Sequence, residues 1–141
     1  MITRNTTATP SISGRDRGFT LIELLIVVVI IGILAALAIP KFANTKQKAT
    51  VASMRSDLRN LASTQEAYWV ENRTYWGGPI PDPALNFNPT QGVTVVIVNA
   101  TDAGWSAQAS APGLTAMTCV IFYGTTPPIP PATTDAAVAC S

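Results

Sequence analysis

A single carboxylate stands inside the longest apolar stretch of this 141-residue chain. From Phe19 to Ile39 the sequence reads FTLIELLIVVVIIGILAALAI, and Glu23 is its one charge. A carboxylate placed there costs about 2.5–3.5 kcal/mol even on lenient membrane-insertion scales, so it calls for a cationic partner or a function. The other reactive side chains are two cysteines, Cys119 and Cys140, enough for one disulfide and too few for a four-cysteine zinc site. The chain has no histidine, which excludes His-dependent triads, His-ligated metals and imidazole acid–base chemistry. Asp82, Asp102 and Asp135 are isolated along the chain, and no EF-hand run, nucleophile–base pair or glycine-rich phosphate loop appears. We therefore expect a non-enzyme with no catalytic residue, metal or cofactor. The net charge of +1 offers no basic footprint for nucleic acid.

The element that must carry Glu23 is a helix. Twenty-one residues at 1.5 Å each span about 32 Å, enough for a hydrocarbon core of about 30 Å. The preceding leader, MITRNTTATPSISGRDRG, carries Arg4, Arg15 and Arg17 against Asp16, a positive flank expected to stay cytoplasmic and send the rest outward. Two plainer readings exist. Ala36-Leu37-Ala38 fits a secretory cleavage pattern that would leave Ile39 first, and the block also suits a simple anchor. Neither explains Glu23, and a signal h-region normally runs only about 7–15 residues.

Gly18-Phe19-Thr20-Leu21-Ile22-Glu23-Leu24, behind a basic leader and ahead of an apolar run, resembles the class III signal of bacterial type IV prepilins and type II secretion pseudopilins. The similarity extends to Gly32 and Pro40. It implies a leader of residues 1–18, cut after Gly18 by a membrane peptidase that methylates the new amine, making Phe19 N-methylphenylalanine. It also implies that Glu23 of an incoming subunit meets the Phe19 amine of its neighbour. The physics agrees: the amine left by cleavage is cationic, and Glu23 lies four residues on, along the same helical face. Gly32 and Pro40 are the helix breakers of the block; Pro40 predicts a kink. In assembled filaments of this family the stretch between them can lose helical structure.

After Pro40 the pattern turns amphipathic. Val51, Met54, Leu58, Leu61 and Tyr68 recur at helical spacing with Gln65 interrupting, while Lys46, Lys48, Arg55, Asp57, Arg59 and Glu66 fall mostly elsewhere on the wheel. A helix from Phe19 to about Asn72 would be on the order of 80 Å long. Its end is expected near Arg73, where Gly77-Gly78-Pro79 follow Tyr75 and Trp76. Tyr68, Trp69, Tyr75 and Trp76 read as core and interface packing rather than a ligand platform. Val93–Asn99, Gly104–Ser110 and Ala116–Tyr123 read as strands, and their short connectors favour an antiparallel meander. The remaining tail holds Pro127, Pro128, Pro130 and Pro131 and cannot form a central strand. A Cys119–Cys140 disulfide would pin it to the third strand, worth about 3 kcal/mol in the chain-entropy model. In many pilins such a bond delimits a variable surface.

The expected fold is therefore α+β and pilin-like, a long N-terminal helix on a small antiparallel sheet of about three strands. Its parts are residues 1–18 (leader), 19–39 (membrane and filament-core half), 40–76 (amphipathic half) and 77–141 (sheet-bearing head with a disulfide-closed loop). The resemblance implies a structural subunit that sits in the inner membrane and then polymerises. Its partners would be copies of itself, other pilins, the processing peptidase/methyltransferase, an inner-membrane assembly platform and, before assembly, lipid. Filaments of this kind serve twitching, adhesion, DNA uptake or secretion. A type II secretion pseudopilin is the alternative within the family; a secreted or membrane-anchored binding module is the alternative outside it.

Overall fold

The computed structural model describes residues 18–114 and 116–141, so the leader expected at residues 1–18 lies, but for Gly18, outside the described residues. One helix, α1 (Leu21–Asn72), is followed by strands β1 (Thr94–Ala100), β2 (Gly104–Ser110), β3 (Cys119–Gly124) and β4 (Ala139–Cys140). The chain divides into two compact units that meet between Ile39 and Pro40.

In the first unit the helix is the one backbone state that satisfies its own polar groups without help, which outweighs the strand preference of the Val27–Ile31 run. Its large apolar side chains find no cover: exposure runs from 47% at Val27 to 83% at Leu21. α1 continues through Gly32 and Pro40, with Pro40 inside it. Proline removes a single donor, and nothing here competes for the neighbouring backbone groups.

In the second unit the helical stripe meets the sheet as expected. Met54, Leu58 and Leu61 are fully buried against Val95 of β1, Trp105, Ala107 and Ala109 of β2, and Ile121 of β3. Burying each large apolar side chain contributes about 1.5–3 kcal/mol. The sheet is a pure meander in the order β1-β2-β3-β4, antiparallel throughout. A bulge between Ile97 and Asn99 shifts the β1–β2 register. Gly104 and Gly124 face each other where β2 begins and β3 ends. A Cβ on Gly104 would strike the Tyr123 carbonyl, and one on Gly124 the Ala103 carbonyl, so the close approach requires glycine at both.

Three features depart from the sequence reading. A fourth strand exists: the two residues of β4 pair with β3 at its edge. The tail also packs better than its prolines suggest, since Ile129, Ala132 and Ala139 cover Val120 and Phe122 on the sheet face away from α1. Asp57, expected among the solvated residues, is 4% exposed.

Candidate functional site

The N-terminal constellation is built on the first turn of α1. Thr20 precedes the helix, and its N–H and Oγ1 donate to Glu23 Oε2 at 2.9 and 2.8 Å. In return Thr20 Oγ1 accepts the Glu23 N–H at 3.2 Å. This is a capping box, in which the residue before the helix and the third residue within it satisfy each other's orphan donors. Both carboxylate bonds land on Oε2; among the described residues Oε1 accepts none. Phe19 is 84% exposed, and Gly18 has open space where a Cβ would stand. Gly18 and Phe19 thus lie just before α1 and Glu23 in its first turn, with the carboxylate bonded to Thr20. Sequence reasoning missed Thr20; the signal was the Thr-x-x-Glu spacing ahead of an apolar run. Gly32 and Pro40 lie further along α1, away from this constellation.

The second unit is held by polar clamps as well as by its core. Asp57 accepts the Thr90 N–H at 2.9 Å and the Thr90 hydroxyl at 2.8 Å, tying the loop before β1 to the helix. Gln65, the expected polar interruption, is completely buried and bonds both backbone groups of Trp76. The aromatic residues pack as expected: Tyr68 meets Trp76 edge-on at 5.5 Å, and Tyr75 contacts the rings of Trp69, Trp105 and Tyr123. Tyr75 donates to Glu66 Oε1 at 3.1 Å. Its own burial, then that bond and the charge of Glu66, hold its phenol well above the usual tyrosine range. Arg73 ends α1 in the left-handed conformation (φ 59°) with its guanidinium 5.3 Å from the Trp69 ring centroid.

Cys119 and Cys140 form the disulfide expected of them. The bond joins β3 to β4, and Arg55 Nε donates to Cys140 Sγ at 3.2 Å. One bond therefore ties the tail to the sheet and brings it against α1.

A long N-terminal helix, apolar in its first half and packed through its second on a small antiparallel sheet, is a pilin-like α+β arrangement. The family described as prokaryotic N-terminal methylation motif matches residues 13–39, which contain Gly18, Phe19, Glu23 and Gly32. The chain is 46% identical over 61 residues to the type IV major pilin protein PilA of Myxococcus xanthus, covering 43% of this chain and 28% of that protein. It is 41% identical over 61 residues to the type II secretion system core protein G of Pectobacterium carotovorum, covering 43% and 39%. With the core protein G of Escherichia coli the figures are 39% over 63 residues, 45% and 43%. The matches thus span less than half the length of each relative. Over that N-terminal stretch the chain is thus similar both to a type IV pilin and to type II secretion core proteins.

Proposed function

We propose that this chain is the structural subunit of a type IV pilus-like filament. It is cleaved between Gly18 and Phe19, methylated at Phe19, held in the inner membrane by residues 19–39 and then polymerised through that same segment. Before assembly the leader side is cytoplasmic and residues 77–141 face outward. After assembly the apolar half-helices form the core, and the head, residues 77–141 with the amphipathic half at 40–76, coats it. The subunit is not an enzyme; it is a substrate of the peptidase and a client of the assembly platform.

The observation that carries this reading is Glu23. It is an ionisable group in a helical segment whose large apolar side chains are all exposed, and Thr20 holds its Oε2 while, among the described residues, Oε1 accepts no hydrogen bond. A segment of that kind needs cover, from lipid first and from other copies later, and the free Phe19 amine of a processed neighbour is the cation that Glu23 lacks. The stretch between Gly32 and Pro40, helical in the single chain, is where we expect helix to be given up when copies pack. The pseudopilin is the second reading, supported by the matches to core protein G; the Cys119–Cys140 bond in the tail favours the pilus. N-terminal sequencing with intact-mass measurement tests the assignment. N-methyl-Phe19 is the expected result; Ile39 as first residue would establish a secretory signal instead, and an intact leader a plain anchor.

A further inference from the structure

The charges of the second unit are sorted by position. From Pro40 to Asn60 the chain holds five cations, Lys41, Lys46, Lys48, Arg55 and Arg59, against one carboxylate. That carboxylate, Asp57, is turned inward onto Thr90. From Leu61 to Ser141 the balance inverts, with Glu66, Glu71, Asp82, Asp102 and Asp135 against Arg73 alone. Neither stretch can neutralise itself from its own sequence neighbours.

The two sets also lie toward opposite ends of the unit. Lys41, Lys48 and Arg55 follow one another at seven-residue steps with Arg59 four further on, which lines them along one helical face. Lys48, Arg55 and Arg59 border an open groove of about 650 Å³ whose apolar floor is Val51, Ala52 and Met117. Arg55 is steadied there by its bond to Cys140 Sγ. At the other end Glu71 occupies the last turn of α1. Asp102 sits in the β1–β2 turn, whose carbonyl at Asp102 takes the Trp69 indole N–H at 2.8 Å. Asp135 accepts the Gly124 N–H at 3.0 Å, and Thr125 N–H donates to the Ala103 carbonyl, so these two loops adjoin.

We propose that the Lys48–Arg55–Arg59 groove is a docking surface for a second copy of this chain, occupied by the acidic end formed by Glu71, Asp102 and Asp135. The surface rests on the assembly reading above but adds an electrostatic contact between heads to the apolar contact between spines. It also sets a geometry. Arg55 and Lys48 lie 16 and 23 residues before Glu71 on one helix, so the docked copy is displaced along the spine by about 24–35 Å. An anionic lipid surface is the other chemistry that attracts cations. Arg55 and Arg59, however, stand about 22–28 Å beyond Pro40 along the helix, past the roughly 5–8 Å that headgroups add on each side of the hydrocarbon.

Zero-length carbodiimide cross-linking of wild-type filaments tests this on the native chain. Lys48 and Glu71 are separated by about 35 Å of rigid helix, so a Lys48–Glu71 link arises only between copies. Mass spectrometry is expected to find links from Lys48 to Glu71, Asp102 or Asp135. In parallel, R55E/R59E should reduce filament number at least about tenfold while cleaved, membrane-bound subunit stays at wild-type level, since opposed like charges cost several kcal/mol. Adding E71K and D102K should restore assembly. Filaments that yield no link between the basic stretch and these acids, or an R55E/R59E strain with wild-type filaments, would overturn the surface and leave assembly itself standing. Loss of binding to anionic vesicles by R55E/R59E, with filaments unchanged, would assign the stretch to lipid and overturn it equally. A wild-type chain that is cleaved yet stays monomeric in the membrane would overturn both readings.

Discussion

Gln65 and Trp76 close a two-bond ring across the end of the spine: Gln65 Nε2 donates to the Trp76 carbonyl at 2.9 Å, and the Trp76 N–H donates to Gln65 Oε1 at 2.8 Å. A fully buried side-chain amide thus stands in for a strand partner, and it fixes where the chain leaves α1 for the aromatic loop. Gln65→Leu keeps the volume and removes both partners, leaving an N–H and a C=O of a half-buried residue unpaired. The expected loss is about 1–3 kcal/mol of head stability, read as a lower melting temperature of the detergent-solubilised chain by circular dichroism.

Gly18→Val tests processing. Nothing stands within 4 Å of a Cβ at Gly18, so the side chain itself meets no obstacle in the fold. If the proposed peptidase needs a residue without a side chain before the scissile bond, the variant is expected to remain full-length in the membrane and to form no filaments. Loss of 18 residues with normal assembly would refute the cleavage site.

Glu23 caps α1, and substitutions can separate that contact from the proposed pairing with a neighbour's amine. Glu23→Gln keeps an acceptor for Thr20 and loses the charge, whereas Glu23→Val loses both. If neutralising the neighbour's amine is the essential role, both variants accumulate as cleaved, membrane-embedded monomer with few filaments, since breaking a buried pair costs about 3–5 kcal/mol. Glu23→Asp, which keeps the charge on a shorter reach, should be intermediate. Electron microscopy beside an immunoblot of membrane fractions gives the answer, and abundant filaments from Glu23→Gln would leave only the cap.

Cys140→Ser releases β4 from β3 and removes the sulfur contact of Arg55. The middle of the tail retains the cover that Ile129 and Ala132 give to Val120 and Phe122. Proteolysis should therefore increase first at the last few residues and spare α1, with an overall loss near the roughly 3 kcal/mol expected for a loop of this length. Limited proteolysis with mass mapping of the fragments checks the order of release.

Tyr75 makes the head sensitive to alkali. Its folded-state pKa is raised, first by burial and then by Glu66, so the folded head holds this proton more tightly than the unfolded chain does. Stability from this group is fully present below the unfolded value near 10 and falls as pH rises above it. Tyr75→Phe should flatten that decline above about pH 10 while losing the bond to Glu66 at neutral pH. Urea unfolding at pH 7 and at higher pH compares the two.

The sequence alone determined the elements whose signals are local. Twenty-one residues with one charge define a helix that must find lipid or copies of itself, the stripe of Met54, Leu58 and Leu61 says which face takes the sheet, and three β-rich or alternating runs with short connectors make a meander. Gly18, Phe19 and Glu23 stood out by order and spacing, and the family match at residues 13–39 contains all three. Tertiary structure decided what depends on distant partners. Asp57, three residues after Met54 and four before Leu61, borders the apolar stripe, but only folding brings Thr90 close enough to offset its burial. Gln65 reads as an interruption until Trp76 is brought to it. The proline-rich tail gains a strand where the disulfide and the cover over Val120 and Phe122 bring Ala139 and Cys140 along β3, contacts that leave no periodic trace in the chain. Charge segregation lies between the two: the counts are written in the sequence, but the gathering of Glu71, Asp102 and Asp135 at one end required the loops that carry them to fold together.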